Sequence, residues 1–237
     1  MKVSVILPTY NEKSSINLLI REISKIISRE SFVYELIIVD DNSPDGTYQI
    51  ILDEFSNDPC VILVLRLNEK GLASAILHVI RIASGDTLVV MDTDFNHPPD
   101  LIPLLIKITN NFDIAIGSRY IKGGGMESSR FRFLGSKLFN KLIQYFLGVK
   151  TTDNLSGFFA FKKSILDGIN LETIFYGYGD YFIRFLYVMQ KRNKFILETP
   201  VVYKNRMGGL SKTDLKKELL RYSLTLFRIR FGKLKYA

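Results

Sequence analysis

Between residues 3 and 117 the chain alternates short β-branched apolar runs with stretches whose apolar residues recur every three or four positions. The runs at 3–7, 35–39, 60–65, 86–91 and 113–117 read as strands, too apolar along their length to have a solvent-facing side. The intervening stretches 12–28, 46–56 and 71–83 read as helices. In the first, Ile16, Leu19, Ile20, Ile23 and Ile27 share one face. A shorter helix from Asp100 accepts Pro103 in its first turn. Strands linked by helices of this length form βαβ units, so the expected class is α/β with a mainly parallel, Rossmann-like sheet flanked by helices.

In such sheets ligands bind beyond the carboxyl ends of the strands. Four polar clusters stand there: Pro8 to Glu12 after the first run, Asp40 to Ser43 after the second, Asp92 to Asp94 after the fourth, and Gly117 to Tyr120 after the fifth. Beyond residue 120 the alternation weakens. Gly123 to Gly125 mark a loop, 131–147 reads as a basic amphipathic helix, 154–161 contains a strand, 178–190 reads as a helix, and 195–203 reads as a strand interrupted by Pro200. No internal repeat and no linker divides the chain.

Charge is concentrated. The 237 residues carry 32 basic and 24 acidic side chains, a formal +8. Segment 119–150 has seven basic residues against one acidic, and segment 214–237 has seven against two. With one cysteine, Cys60, and two histidines, His78 and His97, neither a disulfide framework nor a Cys/His zinc site is expected. No run approaches the length of a membrane span, and the amino-terminal apolar run is shorter than a signal peptide needs, so the expectation is an intracellular chain. Without a zinc finger or a row of aromatics for stacking, the basic segments point away from nucleic acid and toward a phosphorylated substrate or an anionic membrane. Leu215, Leu219, Tyr222, Leu226 and Ile229 recur at helical spacing between basic residues. That pattern suits a helix lying in a headgroup layer, and equally a terminal helix packed on its own domain.

Asp92-Thr93-Asp94 is the sharpest chemical element. Residues i and i+2 of a strand point the same way, so both carboxylates can meet one cation where the strand ends, with Asn96 as a neutral oxygen donor. All-oxygen ligation suits Mg²⁺ or Mn²⁺. The 40–47 string can be a helix-capping turn, but two adjacent acids at the mouth of a sheet repel unless they do different jobs. Neither G-x-G-x-x-G after the first strand, nor a P-loop, nor G-x-S-x-G is present, so dehydrogenase, P-loop and α/β-hydrolase readings fail.

PTYNE at 8–12, DDNSPDGT at 40–47, KGL at 70–72, MDTDFN at 91–96, GSRY at 117–120, SGF at 156–158 and SK at 211–212 come in order. Together they resemble the family-2 inverting glycosyltransferases of GT-A fold, within them the dolichyl-phosphate mannose synthases and other polyprenyl-phosphate glycosyltransferases, over residues 2–230. The resemblance implies one continuous domain, with 1–118 holding the nucleotide sugar and 119–237 the acceptor. It implies that Pro8, Tyr10, Glu12, Val39 and Asp41 hold the base and ribose. Asp92, Asp94 and Asn96 would hold Mg²⁺ or Mn²⁺ at the diphosphate, with Thr93 alongside and Arg119 near the nucleotide sugar. Arg206 and Lys212 would close over the phosphates, and Arg130, Arg132 and Ser136 would grip the acceptor phosphate. The implied reaction moves a hexose, mannose from GDP-mannose in the first instance, to a polyprenyl phosphate at the cytoplasmic face of a membrane. Another donor such as UDP-glucose, or a non-lipid acceptor, is the alternative. Many members of that group continue into membrane-spanning helices; here the basic carboxyl-terminal segment or a membrane-anchoring partner is expected to serve. Ala73 and Phe159 depart from the group's usual Gly and Arg.

Such chemistry needs no histidine. A phosphate acceptor is ionised at neutral pH and is its own nucleophile, so the site must neutralise a leaving diphosphate and hold two anions in line.

Overall fold

The computed structural model describes residues 1–127, 130–206 and 215–232, apart from the side chains of residues 215 and 216. The first half follows the expected alternation: β1 (Lys2–Thr9), α1 (Ile16–Ile27), β2 (Val33–Asp40), α2 (Thr47–Phe55), β3 (Val61–Leu65), α3 (Leu72–Ile82), β4 (Thr87–Val90), α4 (Ile102–Ile108) and β5 (Ile114–Ser118). The second half contributes β6 (Gly125–Met126), α5 (Arg130–Leu147), β7 (Phe159–Lys162), α6 (Tyr181–Lys191), β8 (Ile196–Pro200), β9 (Val202–Tyr203) and α7 (Leu215–Phe231).

Seven strands form one sheet in the order β3-β2-β1-β4-β7-β5-β8, and β6 pairs with β9 in a small second sheet. The central sheet is mostly parallel, as expected. Only β7 runs against its neighbours β4 and β5, which keeps the carboxyl ends of β1, β2, β3, β4 and β5 on one rim. The register aligns those ends: Thr9 lies beside Asp40, Asp40 beside Leu65, and Ile6 beside Val90. Residues 10, 41 and 66 therefore start their loops side by side, with the 92–94 segment next to them.

Strand alternation sends Val3, Val5, Leu7, Leu36 and Ile38 to one core with α1, α2 and α4. Ile6, Ile37, Val39, Val90, Phe159 and Phe161 face the other, against α3 and α6. Phe159, at a position where an arginine would meet phosphate in the resembled group, is wholly buried against Phe161, Phe182 and Phe185.

A third, smaller core joins α5, α6 and α7 through Phe139, Ile143, Leu147, Ile183, Leu226 and Ile229. Of the carboxyl-terminal stripe, Leu226 and Ile229 are buried and Tyr222 packs beside them, whereas Leu219 is exposed and the Leu215 side chain lies outside the described residues. The exposed apolar side of α7 is a different one, made of Leu220, Leu224, Phe227 and Phe231. On α5, Phe131, Leu134, Leu138, Leu142 and Tyr145 recur at spacings of three and four and are likewise exposed, Phe131 to 87% and Tyr145 to 85%. Among the described residues no helix is long and apolar enough to cross a membrane.

Candidate active site

The two acids that end β2 do different jobs. Asp40 folds the turn, accepting from the Ser43 N–H (2.8 Å) and the Ser43 hydroxyl (2.5 Å). Burial is the main reason its carboxyl is raised. Asp41 faces the loop after β3: Arg66 donates Nε to Oδ1 at 2.7 Å, and the Gly71 N–H donates to Oδ2 at 2.7 Å. Gly71 takes φ +133°, a conformation open to glycine, and this aims its N–H at the carboxylate. Arg66 also reaches the Gly71 carbonyl and the Ser74 hydroxyl, closing a buried knot beside the rim.

The first and second rim loops are tied together. Asn11 N–H donates to the Ser43 hydroxyl and Glu12 N–H to the Thr47 hydroxyl, while Asp45, ahead of α2, accepts from the Thr47 N–H. Tyr10 projects from this junction, with the Lys70 ammonium 5.3 Å from its ring centre. Pro8 lends its carbonyl to the Thr93 hydroxyl at 3.3 Å, which joins the first loop to the third. Val39 is wholly buried, so its side chain belongs to the core.

Asp92 and Asp94 lie past the end of β4, in an irregular turn with Phe95 at φ +61°, so strand alternation is not what aims them. Asp94 is buried, caps the turn through the Asn96 N–H, and pairs with Arg206 (Oδ2 to Nε, 2.9 Å). With its amide oriented to satisfy its neighbours, Asn96 donates to the Lys204 carbonyl (2.8 Å) and accepts from Arg206 Nε (3.2 Å). Asp92 keeps a side chain 43% exposed. Although that side chain meets solvent, desolvation by the surrounding protein and the neighbouring Asp94 charge raise its carboxyl to about 7, against the pull of Arg206. Behind both acids sits His97, wholly buried, its pKa lowered to about 4 chiefly by burial.

Arg119 is buried and committed to Asp153 through Nε (2.7 Å) and a second nitrogen (2.7 Å), with a third contact to the Leu155 carbonyl. Burial opposes its charge, but the Asp153 carboxylate outweighs that and holds it protonated. Its guanidinium also lies over Tyr120 and Tyr203. Arg130 and Arg132 are exposed on the first turn of α5, and Ser136, one turn on, faces the Tyr120 hydroxyl. Lys212 lies outside the described residues.

The Glycosyl transferase family 2 profile matches residues 4–169, well over half the chain. The chain belongs to glycosyl transferase family 2. It is 39% identical over 235 residues to a dolichol-phosphate mannosyltransferase of Pyrococcus furiosus, covering 97% of this chain and 64% of that protein. It therefore spans about two thirds of that relative's length. An undecaprenyl-phosphate mannosyltransferase of Micrococcus luteus is 31% identical over 220 residues, covering 90% of this chain and 87% of its own. Among solved structures, glucosyl-3-phosphoglycerate synthase of Mycobacterium tuberculosis superimposes with a TM-score of 0.71 at 21% identity, covering 98% of this chain and 80% of that one. That likeness establishes the GT-A fold.

In this family-2 chain the rim thus gathers Pro8, Tyr10, Glu12, Asp41, Asp92, Thr93, Asp94, Asn96 and Arg206 around one mouth. Among the described residues no group of three or more His, Cys, Asp or Glu side chains is placed to hold a metal ion alone. Two carboxylates, one half-exposed and raised in pKa by desolvation and by its neighbour, fit a hard cation that keeps waters and shares the oxygens of a bound phosphate. Two residues that sequence reasoning missed complete the site. Arg66 is the first residue past β3, and the strand-end rule applied to the third strand would have found it. His97 gave no such signal, because the chemistry asked for no histidine.

Proposed function

We propose that this family-2 chain transfers a hexose, mannose from GDP-mannose, to a polyprenyl phosphate, with inversion and with Mg²⁺ or Mn²⁺, at the cytoplasmic face of a membrane. The observation that carries the reading is the paired Asp92 and Asp94 beside Arg206 past β4, with the buried Asp41–Arg66 knot past β2 on the other side of β1. The relatives named for polyprenyl-phosphate mannosyl transfer support the donor and acceptor classes.

In this reading Asp41, held by Arg66 and Gly71, shapes the pocket for base and ribose with Pro8, Tyr10 and Glu12. Asp92 and Asp94, with Asn96 beside them, would hold the divalent cation, which supplies positive charge to the departing diphosphate. Arg206, already in the cleft, exchanges its carboxylate partner for phosphate oxygens, with Lys212 joining it. Thr93 fixes the height of the turn through Pro8. The Arg119–Asp153 pair sets the wall where the sugar lies, and Arg130, Arg132 and Ser136 present the acceptor phosphate. That phosphate attacks the anomeric carbon while the diphosphate leaves, so no side chain has to remove a proton. The half up to residue 118 serves the donor and the half from 119 the acceptor.

The exposed apolar stripes of α5 and α7, flanked by Arg130, Arg132, Lys137, Lys141, Lys217, Arg221, Arg228 and Arg230, suit an anionic bilayer surface where the lipid acceptor resides. A membrane-anchoring partner would add to this hold. Incubating the chain with GDP-mannose, Mn²⁺ and a short polyprenyl phosphate should yield a mannosyl lipid and GDP. If UDP-glucose is used in preference, the donor assignment falls. If no nucleotide sugar yields a lipid product, the catalytic reading falls with it.

A further inference from the structure

His97 is the buried group at the site that the transfer chemistry leaves unused. Its ring stacks on Phe158, with centroids 5.0 Å and planes 8° apart, and meets the edge of Tyr203 at 4.7 Å. Nδ1 accepts the Asp92 backbone N–H at 2.9 Å. A neutral imidazole has one lone pair and one N–H, so the proton stands on Nε2. With its lone pair taken by the Asp92 amide, the ring has none to offer a metal. Among the described residues Nε2 is buried with no partner at full hydrogen-bond geometry, yet it lies 3.7 Å from Asp92 Oδ2. The Ser156 carbonyl also faces the ring; it receives the Tyr203 hydroxyl and, with a second lone pair, competes with Asp92 for the Nε2 proton. A shift of about 1 Å by the half-exposed Asp92 carboxylate would bring it within hydrogen-bond range.

We propose that His97 is a positioning residue for Asp92, gripping its main chain through Nδ1 and steadying its carboxylate through Nε2–H when that carboxylate ligates a divalent cation. One residue thus holds both ends of Asp92 from a shelf built by Phe158 and Tyr203. The inference rests on the metal reading of Asp92 and Asp94, and goes beyond it by assigning the group that aims the ligand.

The test separates the two nitrogens. His97→Asn keeps an acceptor near the place of Nδ1 and removes the donor, whereas His97→Gln restores a donor near the place of Nε2. Mn²⁺ binding to the whole chain, with and without GDP, is followed by electron paramagnetic resonance alongside Tm, with Asp92→Asn as control. Expected is a loss of about tenfold or more in Mn²⁺ affinity for His97→Asn, largely recovered in His97→Gln at similar Tm. A purely structural role would lower both Tm values without splitting the affinities, and that result overturns the proposal, as does wild-type affinity in a folded His97→Asn. If the wild type binds no Mn²⁺, the metal reading itself fails and takes this inference with it. Should His97→Asn not fold, ¹⁵N NMR of the wild-type imidazole decides. The proton must reside on Nε2 and its resonance must move downfield on adding Mg²⁺. A proton on Nδ1, or an Nε2–H that ignores Mg²⁺, overturns the assignment.

Discussion

Arg206 Nε lies 2.9 Å from Asp94 Oδ2, so a cationic side chain from the segment after β9 already neutralises half of the acidic pair past the end of β4. A divalent cation must compete with that guanidinium for the same carboxylate, whereas a nucleoside diphosphate welcomes both charges. Arg206→Ala should therefore tighten Mn²⁺ binding about threefold to tenfold without nucleotide, a Coulomb effect reduced by partial exposure. With GDP present the sign should reverse, because a phosphate contact has gone. Calorimetry with and without GDP checks both signs; the same sign in both titrations would dissociate Arg206 from the phosphates.

Asp41 and Arg66 form a buried pair whose members cannot be removed singly without stranding a charge. Asp41→Ala should cost about 3 kcal/mol in urea unfolding. Adding Arg66→Met should recover most of that loss, since an apolar replacement of both partners is often neutral. Donor binding should not return in the double variant, because the knot that shapes the base pocket is gone. Recovery of GDP affinity along with stability would mean that the knot serves folding alone.

The strands and the rim were legible because period and burial are local properties: five apolar runs, four of them ending in polar clusters, place their own ends. The pairings that decide what the rim does were not. Asp153 is 34 residues from Arg119, and Arg66 is 25 from Asp41, so only the register of β1, β2 and β3 and the return of β7 bring them together. Strand spacing would aim Asp92 and Asp94 the same way at the strand end, yet β4 stops at Val90 and a turn with a positive-φ residue aims them instead. The amphipathic pattern of α7 was read correctly as a helix, but a helix with apolar residues on two sides has one that packs and one that does not. Which is which depends on α5 and α6, which periodicity cannot see.

The Asp92 carboxyl, raised to about 7 by burial and by Asp94, gives metal binding a defined pH dependence. In the metal-free chain its folded-state pKa exceeds the unfolded value, so the stability it contributes is complete below about pH 4 and lost as pH rises through about 7. A cation must displace that proton. Mn²⁺ affinity should rise by up to about tenfold per pH unit toward pH 7 and level off above it. Asp92→Asn should flatten the profile as well as weaken binding. A flat wild-type profile between pH 5 and 7 would show that Asp92 is already ionised.

The two apolar sides of α7 should answer differently to substitution. Leu226 is buried in the third core, so Leu226→Ala should cost about 2–4 kcal/mol of stability. Phe227 and Phe231 are 63% and 67% exposed and touch one another. Phe227→Ser with Phe231→Ser should leave Tm within a few degrees, yet lower binding to vesicles containing anionic lipid about tenfold or more, since each ring inserted into the interface contributes on the order of 1–2 kcal/mol. Phe131→Ser on α5 should act in the same direction. Because Arg228 and Arg230 add charge attraction beside these rings, raising salt should weaken binding further without abolishing it. Sedimentation with vesicles at two ionic strengths reads both effects. Unchanged binding in the doubly substituted helix would move the membrane contact away from α7.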